Sequence, residues 1–347
     1  MKGKFMKKHR EKFLDFIRGG AAICIILYHY TTRYNQMIGH KGEYSFNLPW
    51  GWMAWAVFFI MSGYLVYPKA QSIKKYIIKK AIRLYPGYWA AMGISFAVTT
   101  LYLREYSVSL KEFVVDMTML GNYVGCKSVV GVDWTLSIDI IFYGIIALII
   151  LVERKTKRIL GSKVILLWSI LSCLIEIMKR TGWGNPIIKI IGILMASQYA
   201  HFFMVGHFLK NQKCDIESKK MNLIAIGFSI IAQWVAFQNM EFELFYIIFI
   251  VIFMFYIKHS KQDKINIRCK IINQIVNLFS KIASISYPLY LVHEYLGFAI
   301  LKYFDSIGFS SEIFVIIPII ISIICAYIIH KHIELPIGKL KIKTSEE

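Results

Sequence analysis

Several ionisable side chains stand in apolar surroundings, and each brings recognisable chemistry. The apolar segment 13–32 holds Arg18 and His29. On a helix, eleven residues bring the two side chains back to within about 20° of each other, about 16 Å apart along the axis. An imidazole can take a proton from a hydroxyl near neutral pH. Arg18 could bind substrate or snorkel to headgroups; His29 could act on a proton or simply bond a neighbouring helix. A second apolar segment opens Asp133-Trp134-Thr135-Leu136-Ser137-Ile138-Asp139. It puts Asp139 about two turns in, at the depth of His29. A carboxylate beside an imidazole fixes its tautomer and favours its charged form; the alternative is a structural hydrogen bond. A third segment carries Tyr287, Tyr290, His293 and Glu294, which either line a cavity or pack. The basic stretch from Lys74 to Arg83, with Lys75, Lys79 and Lys80, suits either anionic headgroups or the phosphates of a cofactor.

What must position these groups follows from composition. The chain has 347 residues, 57% hydrophobic and 18% charged, with a formal net charge of +20. A soluble domain would be about a quarter charged. The charge alone suggests nucleic acid, but a mean hydropathy of +0.53 and long apolar runs point to a membrane. An aromatic content of 15% excludes disorder. The six scattered cysteines contain no C-x-x-C pair, which excludes a disulfide framework or zinc site.

Apolar segments fall at 13–32, 50–67, 85–103, 133–152, 162–178, 187–209, 221–238, 244–257, 284–303 and 311–330. Continuous apolar runs, rather than alternation, specify helices and not a β-barrel. The expected fold is all-α: a polytopic membrane helical bundle of about ten transmembrane helices in a single domain over 1–347. No A-x-A-like cleavage site follows the first segment, so it is expected to remain in the protein. With the N-terminus inside, 32 of the 41 Lys and Arg residues face the cytoplasm. This positive-inside bias predicts that both termini are cytoplasmic. Leu110, Phe113, Val114 and Met117 have the spacing of a short interfacial helix in the loop 105–132.

Six motifs, in order along nearly the whole chain, resemble those of the acyltransferase-3 family of integral membrane acyltransferases. Arg18, ten residues and His29 resemble its first-helix motif. Phe58-Phe59-Ile60-Met61-Ser62-Gly63-Tyr64 resembles its F-F-x-x-S-G-[FY]. Arg83-Leu84-Tyr85-Pro86-Gly87-Tyr88-Trp89 is similar to its basic-aromatic-Pro-x-Tyr-Trp stretch. Trp134-Thr135-Leu136-Ser137-Ile138-Asp139-Ile140-Ile141-Phe142-Tyr143 resembles W-S-L-x-x-E-x-x-F-Y. Ser286 to His293 resembles S-Y-x-x-Y-L-x-H, and Glu334-Leu335-Pro336 resembles E-x-P. Asp139 departs from the usual Glu, Ile140 from a common second acid, and Lys80 from the more usual Arg.

The resemblance implies transfer of an acyl group, usually acetyl, from cytoplasmic acyl-CoA to a hydroxyl of an extracytoplasmic or lipid-linked sugar. It implies His29 as general base with Asp139 beside it, and Arg18, Lys80 and Arg83 on the coenzyme phosphates. Trp134, Tyr143, Tyr290 and His293 would lie on the acceptor side. The implied setting is a bacterial plasma (inner) membrane, with acetyl-CoA as co-substrate, membrane lipids as surroundings, and neither metal nor nucleic acid; a homodimer stays open. A transporter or flippase for an anionic or lipid-linked substrate is the competing expectation, because intramembrane Arg, His and Asp suit it equally.

Overall fold

A computed structural model describes residues 2–39, 46–66, 72–210, 216–260, 270–309 and 312–339. All regular structure among them is helical. In chain order the α-helices of more than four residues are α1 (Lys2–Tyr28), α2 (Trp55–Leu65), α3 (Ile73–Tyr102), α4 (Leu110–Asp116) and α5 (Trp134–Thr156). They continue as α6 (Gly161–Arg180), α7 (Pro186–Leu194), α8 (Ala200–Lys210), α9 (Ile216–Phe237) and α10 (Met240–Ser260). The last three are α11 (Lys270–Ser284), α12 (Ser286–Ser306) and α13 (Ile316–Ile329). A π turn extends α1 at His29–Arg33 and another extends α13 at His330–Glu334.

Among the described residues, six segments are long and apolar enough to cross a membrane: Lys12–Met37, Trp134–Thr156, Gly161–Arg180, Lys219–Phe237, Met240–Lys258 and Ile313–Gly338. A seventh is available if Gln274–Ser284 and Ser286–Ser306, bent by 76° at their junction, act as one. The shorter apolar stretch Gly51–Leu65 lies within the segment 50–67. Residues 85–102 belong to α3, whose first three turns are basic. The segment 187–209, expected as one span, is two helices. Ala196 breaks it with φ of 46°, a left-handed value that costs an L-residue about 1–2 kcal/mol. The opened backbone is served from α6, where Trp168 Nε1–H donates to the Met195 carbonyl at 2.9 Å. Ser197 donates to buried Glu176, which also accepts from Lys179 Nζ at 2.7 Å. The loop helix expected near 110–117 is present as α4, started by a capping box between Ser109 and Glu112.

The chain divides into two compact units. The first comprises Met1–Trp55, Ile78–Thr135 and Ser260–Glu347. Here α1 lies on α11, where Gly19 lets the Phe279 carbonyl approach within 2.3 Å of the place a Cβ would take. Further along α1, the buried Tyr30 hydroxyl donates to the His293 carbonyl at 2.7 Å and meets Ser322 Oγ at 2.8 Å, tying α1 to α12 and α13. Tyr34 donates to Asp305 Oδ2 at 2.6 Å. The loop between α3 and α5 is held by two buried acids. Asp116 Oδ2 accepts from the Val129 amide at 2.9 Å. Asp133 accepts from Ser128 Oγ at 2.5 Å, and the Tyr88 hydroxyl lies between the Asp116 carbonyl (3.0 Å) and Asp133 Oδ2 (3.3 Å).

The second unit comprises Ala56–Ile77 and Leu136–His259. Its centre is a reciprocal pair of small residues on α2 and α8. A Cβ on Gly63 would stand 2.0 Å from the Phe203 carbonyl oxygen, and one on Gly206 would stand 2.0 Å from that of Ile60. Such contacts let helix backbones approach closely, which is how helices adhere without a hydrophobic drive between them. Aromatic rings close around the crossing, with Phe203 stacked on Phe142 at 4.2 Å and beside Phe59 at 5.0 Å.

Two predictions follow from this packing. Gly63→Val or Gly206→Val must push α2 and α8 apart and is expected to cost about 1–3 kcal/mol. The check is the heating temperature at which detergent-solubilised protein leaves its monodisperse peak. The second concerns Asp116. Burial, then the hydrogen bond to and charge of Asp133, push its carboxyl above the ordinary carboxylate range. A folded-state pKa above the unfolded value favours the fold in acid, and that stability is lost as pH rises from about 4 toward the raised value. Asp116→Asn should therefore flatten the fall in melting temperature between mild acid and mild base.

Candidate active site

Helix α12 is the wall on which the site of the first unit is built. His29 follows α1 and opens the π turn, where the Tyr34 amide bonds back to the His29 carbonyl across five residues. Such single π turns concentrate at functional positions. His29 Nδ1 lies 2.9 Å from the Ile25 carbonyl and 3.2 Å from His293 Nε2. His293 Nδ1 lies 2.8 Å from the Tyr290 carbonyl. A carbonyl only accepts, so both Nδ1 atoms carry the proton. His293 Nε2 is then an acceptor for His29 Nδ1–H, and His29 Nε2 keeps its lone pair. The two rings meet edge to face with centroids 4.7 Å apart.

The nitrogen bearing that lone pair faces Glu294. Glu294 Oε1 lies 3.8 Å from His29 Nε2, with the side chains 12% (His29) and 7% (Glu294) exposed. The site is thus recessed but still reachable. Behind Glu294 runs the loop before α5. Gly131, with φ of +85°, passes so close that a Cβ would meet Glu294 Oε2 at 2.2 Å. Ser128 Oγ accepts from the Gly131 amide at 2.6 Å and fixes this approach. Thr135 Oγ1 lies 3.1 Å from the Tyr290 hydroxyl, and the Val132 carbonyl accepts from Thr135 at 3.0 Å and from Tyr290 at 3.4 Å. Trp134, at the start of α5, packs edge to face on Trp55 at 5.6 Å.

A second cluster lies toward the start of α12. Tyr287, six residues before His293 and so about 9 Å along the axis, donates to the Leu84 carbonyl of α3 at 2.8 Å. Gly87 leaves room for Glu334, whose Oε1 would be 2.9 Å from a Cβ there. Glu334 Oε2 lies 2.6 Å from His330 Nδ1 in the second π turn, and Arg83 acts on Glu334 electrostatically. Arg83 is exposed, whereas Lys80 on α3 and Arg18 on α1 are half-buried. Lys80 and Arg83 stand three residues apart on α3, and Arg18 lies eleven residues before His29.

The structure therefore brings His29, His293 and Tyr290 together, and it places Arg83 with Glu334. Asp139 and Tyr143 belong to the second unit, where Tyr76 is within electrostatic reach of both. The facing of Glu294 and His29, the backing by Gly131 and the two π turns escaped the sequence reading. A glycine two residues before an acid was the available signal for the loop; the π turns leave no such trace.

An imidazole with one nitrogen tied to a carbonyl and the other bare is equipped to accept a proton. Among the described residues, no group of three or more His, Cys, Asp or Glu is arranged to hold a metal ion. A stretch of 172 residues is 24% identical to Nodulation protein 10 of Rhizobium leguminosarum bv. viciae, covering 43% of this chain and 47% of that relative. The chain thus matches about half the length of the relative. No solved structure gives a match. The model of the family described as Acyl_transf_3, acyltransferase domain, matches residues 11–331, and so takes in the imidazole pair, Arg18, Lys80, Arg83 and most of both units; the chain belongs to the acyltransferase-3 family of membrane acyltransferases.

Proposed function

We propose that the protein moves an acyl group, acetyl in the first instance, from cytoplasmic acyl-CoA to a hydroxyl of an extracytoplasmic or lipid-linked glycan. The observation that carries this reading is the fixed tautomer of His29, whose lone-pair nitrogen points into a recessed but open edge. The acceptor hydroxyl gives its proton to Nε2 as its oxygen attacks the thioester carbon. The C–S bond then breaks, and the imidazolium returns the proton to the thiolate. General-base assistance of this kind contributes about 10²–10⁴-fold.

The residues present suit a coenzyme A donor. Arg18, Lys80 and Arg83 offer the cations that phosphates require. The axial distance of about 16 Å between Arg18 and His29 calls for a donor with a long arm. On the acceptor side, Tyr290 and Trp134 present aromatic faces suited to sugar rings, and His293 holds the His29 tautomer. Asp139 and Tyr143 are carried from the family pattern as functional residues, with Asp139→Asn expected to lower kcat. Ten spans, both termini in the cytoplasm and a bacterial plasma membrane complete the proposal, supported by the 32-to-9 distribution of basic residues. Because the family match extends over residues of both units, we treat 1–347 as one functional domain.

His29→Ala at matched membrane levels is expected to lower glycan acetylation by at least about 10²-fold; retained acetylation would overturn the proposal. Lys80→Ala with Arg83→Ala should raise KM for acetyl-CoA several-fold and leave kcat nearly unchanged, because it removes binding made equally in the ground and transition states. Steady-state kinetics in membrane vesicles, with acetyl-CoA varied, separate the two parameters.

A further inference from the structure

A Ser–His–Asp triad places its carboxylate behind the imidazole, on Nδ1, where one group both orients the ring and balances its charge. In this protein Nδ1 of His29 is already taken by the Ile25 carbonyl and by His293 Nε2. Neither of those partners can carry negative charge. The carboxylate stands on the opposite edge, where Glu294 Oε1 is 3.8 Å from Nε2. That distance is too long for a hydrogen bond and just within the range of an ion pair.

Three further observations single out Glu294. Its Oε2 is buried and accepts no hydrogen bond. The Gly131 backbone seals that oxygen from behind, at a position where both the positive φ and the missing Cβ are needed. Ser128, anchored on Asp133, holds Gly131 in place. His293 and Arg33 act on His29, Arg33 and Asp133 act on Glu294, and the hydroxyls of Tyr28, Tyr30, Tyr106 and Tyr295 also lie within electrostatic reach of Glu294.

We infer that Glu294 is the positioning residue for the His29 imidazolium. It faces the nitrogen that receives the proton and stabilises that cation until the leaving thiolate reclaims it. The inference rests on the acyl-transfer reading and completes its charge balance. The acceptor O–H bond breaks and its proton goes to Nε2; the new C–O bond forms and the C–S bond breaks. The thiolate takes the same proton, so His29 and Glu294 end as they began. In a site of low polarity a bare imidazolium would be costly, and an opposite charge at this range offsets that cost.

The test uses the full chain in membrane vesicles from the host cell, with radiolabelled acetyl-CoA and label counted in the glycan fraction between pH 5 and 9. Wild type should lose activity on the acid side as His29 becomes protonated. In Glu294→Gln the imidazolium loses its counter-charge, so the acid limb should move down by about 1–3 pH units, with at least a tenfold lower plateau. Glu294→Asp, which keeps the charge, should return the limb most of the way. If Glu294→Gln does not accumulate in the membrane, Gly131→Ala displaces the carboxylate instead and should move the limb the same way. An unmoved limb in whichever of these variants accumulates overturns the inference, because a purely structural Glu294 would lower the plateau without shifting it. His29→Ala separates the two levels: activity retained there sinks the acyl-transfer reading itself, whereas activity lost there with an unmoved limb in Glu294→Gln sinks only the role of Glu294.

Discussion

The hydrogen bond from His29 Nδ1 to the Ile25 carbonyl governs the rest of the site. It is made within one helix, so it needs no partner from elsewhere and survives small shifts between helices. It decides which nitrogen is basic. Once that is settled, His293 can only accept from His29, Tyr290 supplies the carbonyl that fixes His293, and Glu294 faces the reactive edge. A bilayer offers no water to repair a misplaced donor. The tautomers are therefore tied to main-chain carbonyls, whose position follows from the helices themselves.

Helix contacts obey the same constraint. Where apolar side chains gain nothing by leaving lipid, close approach has to come from small residues. Gly63 and Gly206 each admit a carbonyl of the other helix, and Gly19 does the same for α11. Polar ties such as Tyr30 to His293 and Ser322, or Tyr34 to Asp305, are made between side chains and backbone that would otherwise be unsatisfied. The motif glycine of Phe58–Tyr64 is thus explained by packing, and not by chemistry at the site.

The helical class and the first-helix pair were legible in the sequence because both rest on local periodicity: apolar runs specify helices, and an eleven-residue spacing returns to one face. His293 was visible as an ionisable group out of place. What stayed hidden depends on tertiary arrangement. The break at Ala196 falls inside a continuous apolar run, and it is tolerable only because Trp168 and Glu176 on α6 reach it. Glu294 beside His293 could be read as packing or function, and only its facing of His29 distinguishes them. Asp139 drew attention by its depth in the sequence, but depth does not say which neighbour a side chain meets; in the structure Tyr76 is within its electrostatic reach.

The π turn at His29–Arg33 also acts as a phase shifter. It holds one residue more per turn than the helix before it, so everything downstream is rotated by about 100° relative to a continuous α-helix. Residues up to His29 can keep the phase that α11 requires, while Tyr30 and Tyr34 take the one that α12 and α13 require. Chain length in this short stretch is therefore constrained apart from chemistry. Loss of a single residue there, even an inert one, would leave every functional side chain in the sequence and still turn the Tyr34 latch away from Asp305.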